Sequence, residues 1–292
     1  METPLRLING SLYKRASVPY AYDLKLHKLG LHCEAVTVPR YGWTEVDSIS
    51  PLAAADAASC VDKIFVDGDW LPAPLTQDDK LAYASQNCER SARRARSAVR
   101  RRVKLFELST MLTLTYAENI LERDRIRRDV DVMLKRIKRL IPDFSYVCVF
   151  ERQKRGAWHA HIACRTVQSH YLHRGRLVQS YALLRLMWRA VVGASGGNID
   201  VSRGRAVKRS TGRLAGYLAK YIGKGFEDGQ SGDSYSASGT LPRPETTRLM
   251  GGCLLAATAE LKRLVFEAFP GNCEFYGASI SDTAYYCALS PP

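Results

Sequence analysis

FSYVCVFERQ (residues 144–153) and AWHAHIACRTV (157–167) are joined by Lys154-Arg155-Gly156. Both runs are rich in β-branched, aromatic and apolar residues, and the short polar joint reads as a hairpin turn. Two strands flanking such a turn pair directly. Outward from this hairpin, STMLTLTY (109–116) is a further strand. Residues 118–140 carry apolar side chains at 120, 121, 126, 130, 133, 134, 137 and 140, a helical stripe that Pro142 stops. A helix over 176–192, a strand over 198–204 and a helix over 211–224 ending at Gly225 follow. The order β-α-β-β-α-β-α defines an α+β core: a central antiparallel sheet with flanking helices.

The flanks carry weaker signals. A helix covers about 77–104, and HCEAVTV (32–38) reads as a strand. KIFVDGDWL (63–71) reads as a strand or a hairpin turning at Asp67-Gly68. The Ala-rich stretch 50–60 is a linker or short helix, and 226–244 is loop. A helix over about 252–269 and a strand pair over 272–289 close the chain. The division is an N-terminal extension (1–80), a basic helical segment (81–106), the core (107–226), a loop (227–244) and a C-terminal segment (245–292).

Composition narrows the partners. The chain has 292 residues, 46% hydrophobic, and a formal charge of +14. That hydrophobic share excludes global disorder. Arginine exceeds lysine, which suits phosphate because the guanidinium is a planar bidentate fork. Residues 89–104 hold eight bases and one acid, and residues 203–224 hold seven bases and no acid. The remainder is balanced at 28 of each sign, so the net charge sits in two segments that call for a polyanion. No apolar run is long enough to span a membrane, the first residues lack a secretory signal, and no P-loop motif is present. The eight cysteines form no C-x-x-C pair and read as reduced thiols of a cytoplasmic protein.

Two constellations carry chemistry. His159 and His161 are two residues apart on a strand, so they point to one face. Glu151 ends the preceding strand within reach across the hairpin. Two imidazoles and a carboxylate leave coordination positions open for phosphate and water, which suits Mg²⁺ or Mn²⁺. Downstream, Tyr217, Lys220, Tyr221 and Lys224 form Y-x-x-K-Y-x-x-K, in which the two phenols lie one helical turn apart. Each lysine can hold a phosphate or stabilise a phenolate. Thr113 and Thr115 read as mainly structural. Trp158 reads as a core residue, with base stacking the alternative. His170 and His173 fall in a loop past the strand.

An apolar strand, then E-x7-H-x-H, then the doubled Y-x-x-K, in that order, resembles the HUH endonucleases, specifically the rolling-circle replication initiators of phages and plasmids in their two-tyrosine branch. The resemblance spans about residues 107–226. It implies a metal held by His159, His161 and Glu151, and attack by Tyr217 or Tyr221 on single-stranded origin DNA. A 5′-phosphotyrosyl link and a free 3′-OH would result, with a host helicase and replication machinery as partners. Arg93, Arg94, Arg96, Arg100, Arg101 and Arg102 would bind DNA on the first basic segment. Lys154 and Arg155 would do so beside the metal, and Arg203, Arg205, Lys208, Arg209 and Arg213 around the tyrosines. A transposase or mobilisation relaxase shares this chemistry. A DNA-binding regulator without cleavage is the reading from another class.

Overall fold

The structure, a computed structural model, describes residues 5–8, 11–45, 63–66, 69–72, 77–165, 167–202, 211–227 and 235–292. In chain order the strands are β1 (Leu5–Ile8), β2 (Ser11–Leu29), β3 (His32–Glu45), β4 (Lys63–Val66), β5 (Asp69–Pro72), β6 (Thr110–Tyr116), β7 (Tyr146–Arg152), β8 (Trp158–Cys164), β9 (His170–His173), β10 (Arg176–Gln179), β11 (Gly197–Ser202), β12 (Tyr235–Ala237), β13 (Glu245–Met250), β14 (Glu274–Ser281) and β15 (Ala284–Ser290). The helices are α1 (Gln77–Leu105), α2 (Arg123–Leu140), α3 (Ser180–Val192), α4 (Thr211–Glu227) and α5 (Leu254–Ala268). The chain is α+β and divides into two compact units, one of residues 1–27, 33–86 and 244–292, the other of 28–32 and 87–243.

The second unit is built on a five-stranded sheet in the order β11-β6-β8-β7-β12, with every pair antiparallel. Strand periodicity sorts its side chains onto two faces. Leu112, Leu114, Cys148, Phe150, Ala160, Ile162 and Ile199 pack with Ile126, Val130, Met133 and Ile137 of α2 and Leu184 and Trp188 of α3. Met111, Val147, Val149 and Ala163 point the other way and pack with Ala92, Ala95, Val99 and Val103 of α1 and Leu214, Ala215, Leu218 and Ile222 of α4. Helices therefore cover both faces, and strands β7 and β8, buried along most of their length, are apolar on both sides.

The central hairpin forms as its sequence indicates, with β7 and β8 in register from Tyr146↔Cys164 to Arg152↔Trp158. Trp158 is buried at 3% exposure, and its indole N–H donates to the Leu121 carbonyl at 3.0 Å, so it belongs to the core and is not a base-stacking platform. Gly197 is required by close approach: a Cβ there would stand 2.6 Å from Trp188 Nε1 and 2.7 Å from the Thr115 carbonyl. That indole N–H donates to the same carbonyl at 2.9 Å.

Several boundaries differ from the sequence expectation. Residues 118–122 precede α2, which starts at Arg123. Residues 176–179 belong to β10 and not to the following helix, because they pair with 170–173 as a ribbon; His170 and His173 are thus strand residues. Tyr235–Ala237, expected as loop, form edge strand β12 on β7. The Asp67-Gly68 turn and the stretch 50–60 lie outside the described residues, although the strands flanking that turn do pair, Val66↔Asp69.

In the first unit, β2 and β3 pair with strands from the far end of the sequence. The order is β1-β2-β3-β15-β14, with β13 also on β2. The core is Leu24, Leu26, Cys33 and Ala35 against Ala257, Leu261 and Val265 of α5 and Cys287 and Leu289 of β15. All seven described cysteines are free thiols. Burial pushes the Cys148 and Cys164 thiols far above their usual range, and Cys287 up to about 11. No helix among the described residues is long and apolar enough to cross a membrane.

Candidate active site

The β7–β8 register puts Glu151 opposite His159 and Val149 opposite His161, and the β6–β8 register puts Thr113 opposite His161. Glu151, His159, His161 and Thr113 therefore project from adjacent rows on the face that α1 and α4 cover. His159 and His161 are buried, at 8% and 5% exposure. His161 Nε2 lies 2.9 Å from Glu151 Oε2. A carboxylate only accepts, so this nitrogen donates, and the Thr113 hydroxyl, 3.3 Å away, donates to His161 Nδ1.

His159 has a different surround. The Arg155 guanidinium donates to Gln153 Oε1 at 2.9 Å, leaving the Gln153 amide N–H for His159 Nδ1 at 3.1 Å. His159 Nε2 is buried and has no hydrogen-bond partner among the described residues. Such an orphan costs roughly 1–3 kcal/mol unless something ligates it. Desolvation first, and then His161, hold the His159 pKa below the ordinary imidazole value, which favours the neutral ring that a metal requires.

Helix α4 brings the phenols to these rings. Leu214, Leu218 and Ile222 anchor it at three- and four-residue spacing, so Tyr217 and Tyr221 sit half-buried one turn apart against the same cluster. Tyr221 stacks on His161 with ring centroids 4.6 Å apart and planes 19° apart. Tyr217 meets His161 edge-on at 6.4 Å and Tyr221 edge-on at 4.9 Å. The two hydroxyls are hydrogen-bonded to each other. Two imidazoles, a carboxylate and two phenols are thereby gathered from β7, β8 and α4.

Among the described residues no group of three His, Cys, Asp or Glu stands already converged on one point. The donor chemistry nevertheless fits a divalent ion: an orphaned buried Nε2, a second imidazole nitrogen facing a carboxylate oxygen, and a neutral His159. Loading would replace the His161–Glu151 hydrogen bond. It would also need the His159 proton on Nδ1, with the Gln153 amide turned to accept it.

The basic residues divide by environment. Lys220 and Arg213 are exposed on α4, and Lys154 and Arg155 are exposed at the hairpin turn. Of Lys224 only the helical backbone is described. Arg203, Arg205, Lys208 and Arg209 lie outside the described residues. On α1, Arg93, Arg94 and Arg96 are exposed, whereas Arg100, Arg101 and Arg102 are half-buried. Arg93 also pairs with Glu89 at 3.3 Å on the open surface, which contributes little. Arg102 is turned to β12: it donates to the Tyr235 hydroxyl at 3.3 Å and lies 5.7 Å over that ring. A cavity of about 530 Å³ lined by Arg127, Arg128, Val130, Leu134 and Phe150 shares no residue with the His–Tyr cluster.

Gln153 and Thr113 are the site residues whose roles sequence reading missed. The period-two rule places Gln153 on the Glu151 face and offered a signal for it. Thr113 needed the cross-strand register.

Residues 109–226 match a family model described as replication-associated protein, of the ORF2 and gene-II-protein type. The match covers well under half of the chain but contains the hairpin, both histidines and both tyrosines. It supports a replication initiator of the Rep type. No curated protein and no solved structure matches.

Proposed function

We propose that the protein is a rolling-circle replication initiator that cuts and rejoins one strand of single-stranded origin DNA, with Tyr217 or Tyr221 as nucleophile. The observation that carries this reading is the packing of both phenols against His161, one hydrogen bond from Glu151. The replication-associated match over the same residues supports it.

A phenolate oxygen forms the bond to phosphorus while the bond from phosphorus to the 3′ oxygen breaks. The phenol proton leaves to solvent, and the departing 3′ oxygen takes one up. A 5′-phosphotyrosyl ester and a 3′-OH remain, and the reverse step reseals the strand. The energy of the phosphodiester is conserved, so rejoining needs no nucleotide. The hydroxyl–hydroxyl bond lets one phenol donate to the other's phenolate, which favours ionisation of the acceptor. Lys220, exposed on the same helix, supplies positive charge for a phosphate.

His159, His161 and Glu151 would hold a divalent ion, Mg²⁺ or Mn²⁺, positioned by Gln153 and Thr113 behind the rings. Such an ion supplies Lewis-acid polarisation of a phosphoryl oxygen. Single-stranded DNA is the substrate, and a separate helicase of the host would open the duplex. Nicking assayed with a randomised single-stranded oligonucleotide pool and increasing Mn²⁺ tests the arrangement. His161→Ala should abolish cleavage, and Glu151→Ala should shift the metal dependence to higher concentration. Undiminished cleavage by both variants at every metal concentration would remove this ligand set.

A further inference from the structure

Residues 152–199 contain eight Arg and Lys and not one Asp or Glu. In this stretch stands the two-stranded ribbon β9–β10, with Tyr171 opposite Val178 and Leu172 opposite Leu177. The first pair faces inward, and Tyr171 packs on the core formed with α2 and α3. The second pair faces out, with Leu172 70% and Leu177 71% exposed side by side. The two-residue turn is Arg174-Gly175, with φ of +49° and +74°. Left-handed φ at both positions is the type I′ geometry, which favours Asn, Asp or Gly at each. An arginine at the first is a strained choice for which the fold gives no reason.

We propose that the β9–β10 ribbon is a second nucleic-acid contact that enters the major groove of double-stranded DNA, with Arg174 and Arg176 on phosphates and Leu172 and Leu177 against base edges. The major groove admits a two-stranded ribbon, and aliphatic side chains there meet thymine methyl groups. The charge of the segment selects a polyanion. The aliphatic outer face selects a duplex, because single strands are held by stacking on aromatic rings. The ribbon packs on the sheet face opposite His159 and His161, so this contact is separate from the strand being cut. It does not depend on cleavage.

The test is binding of the full-length protein to a short DNA duplex of arbitrary sequence and to one of its strands alone, across a salt series. Arg174→Gln with Arg176→Gln should weaken duplex binding severalfold and lower the salt slope by about 1.8, near 0.9 for each phosphate no longer neutralised. Leu172→Ser with Leu177→Ser should weaken duplex binding at least about threefold with the slope unchanged, because an apolar contact releases no counterions. Single-strand binding should change little in either case. Arg174→Gly guards against misfolding: it relieves the left-handed φ, so thermal stability should hold or rise while duplex affinity falls. Duplex binding unaffected in all three variants would overturn the proposal. Equal loss on duplex and single strand would also overturn it, reducing the ribbon to a general polyanion surface. Loss of binding to phosphatidylserine vesicles in the leucine variant, with duplex binding intact, would assign the ribbon to lipid.

Discussion

At the scale of single residues, the environments of two neighbouring histidines set different tasks. His161 is oriented from both sides, by Thr113 at Nδ1 and Glu151 at Nε2, and Tyr221 lies flat on its ring. His159 is held from one side by Gln153 and keeps its other nitrogen bare in the interior. If a metal takes those nitrogens, the partners behind the rings fix tautomer and angle. Gln153→Leu and Thr113→Val should then each weaken apparent Mn²⁺ affinity about 10–100-fold while leaving the fold intact. An Mn²⁺ titration of cleavage, with a thermal melt alongside, checks this. A loss of cleavage that no Mn²⁺ concentration restores would count against an indirect role. The histidine pair and Glu151 were legible in the sequence because strand parity and a short hairpin fix their side of the sheet. Thr113 lies 48 positions before His161, so only the β6–β8 register discloses their contact.

At the scale of elements, α4 is an amphipathic bracket whose buried side chains hold the phenols. Leu218 is fully buried between Tyr217 and Tyr221 in sequence, so Leu218→Ala should cost about 2–5 kcal/mol and lower adduct yield by displacing both rings. Chemical denaturation of the variant gives the first number, and cleavage at a temperature where it stays folded gives the second. Helix α1 is less uniform than its run of charges suggests. Its apolar positions 92, 95, 99 and 103 face the core, Arg94 and Arg96 face solvent, and Arg102 is turned to Tyr235. We expect Arg94→Gln with Arg96→Gln to flatten the salt dependence of single-strand binding by about 1.4, near 0.7 for each phosphate no longer neutralised. Arg102→Ala should instead lower stability, with little change of slope. Identical salt slopes for both variants would show that the orientation of these side chains does not decide their role.

The same scale shows why some elements escaped the sequence. Leu177 and Val178 continue the apolar pattern of α3 upstream, so one helix seemed to begin at 176 where a ribbon strand lies. Strand β12 is three residues long in a Gly- and Ser-rich stretch, too short for any periodicity to register. Strands β7 and β8 were legible because they are buried on both faces and read as unbroken apolar runs.

At the scale of the whole molecule, the core of residues 87–243 and the unit made from the two ends of the chain follow different rules. Within the core most pairings are local: hairpins, and strands joined through one helix. In the other unit, β3 finds its partner β15 some 248 positions away, as in the Tyr285 backbone N–H donating to Thr37 Oγ1 at 2.9 Å. No local pattern encodes such a pairing, and the sequence accordingly said little about residues 1–80. Removal of residues 245–292 should therefore strip β2 and β3 of their sheet partners and expose Leu24, Leu26 and Cys33. Limited proteolysis of the truncated chain should cut within 11–45 well before it cuts within 109–165. Equal protection of the two regions would show that the N-terminal hairpin stands without its C-terminal partners.

Charge also belongs to this scale. The net +14 resolves into two basic segments, yet residues 152–199 form a third acid-free stretch whose charge acidic residues elsewhere offset in the total. Net charge by segment conceals it, and mapping the charge onto the fold recovers it.

The central claim is that Tyr217 or Tyr221 joins covalently to DNA. It is tested most directly by incubating the protein with Mn²⁺ and a labelled, randomised single-stranded oligonucleotide pool, then resolving the products on a denaturing gel. The account expects a protein-linked label that withstands denaturation, disappears with Tyr217→Phe plus Tyr221→Phe, and is lost with His161→Ala. A labelled adduct that persists in the double tyrosine variant, or cleavage with no adduct at all, would contradict it.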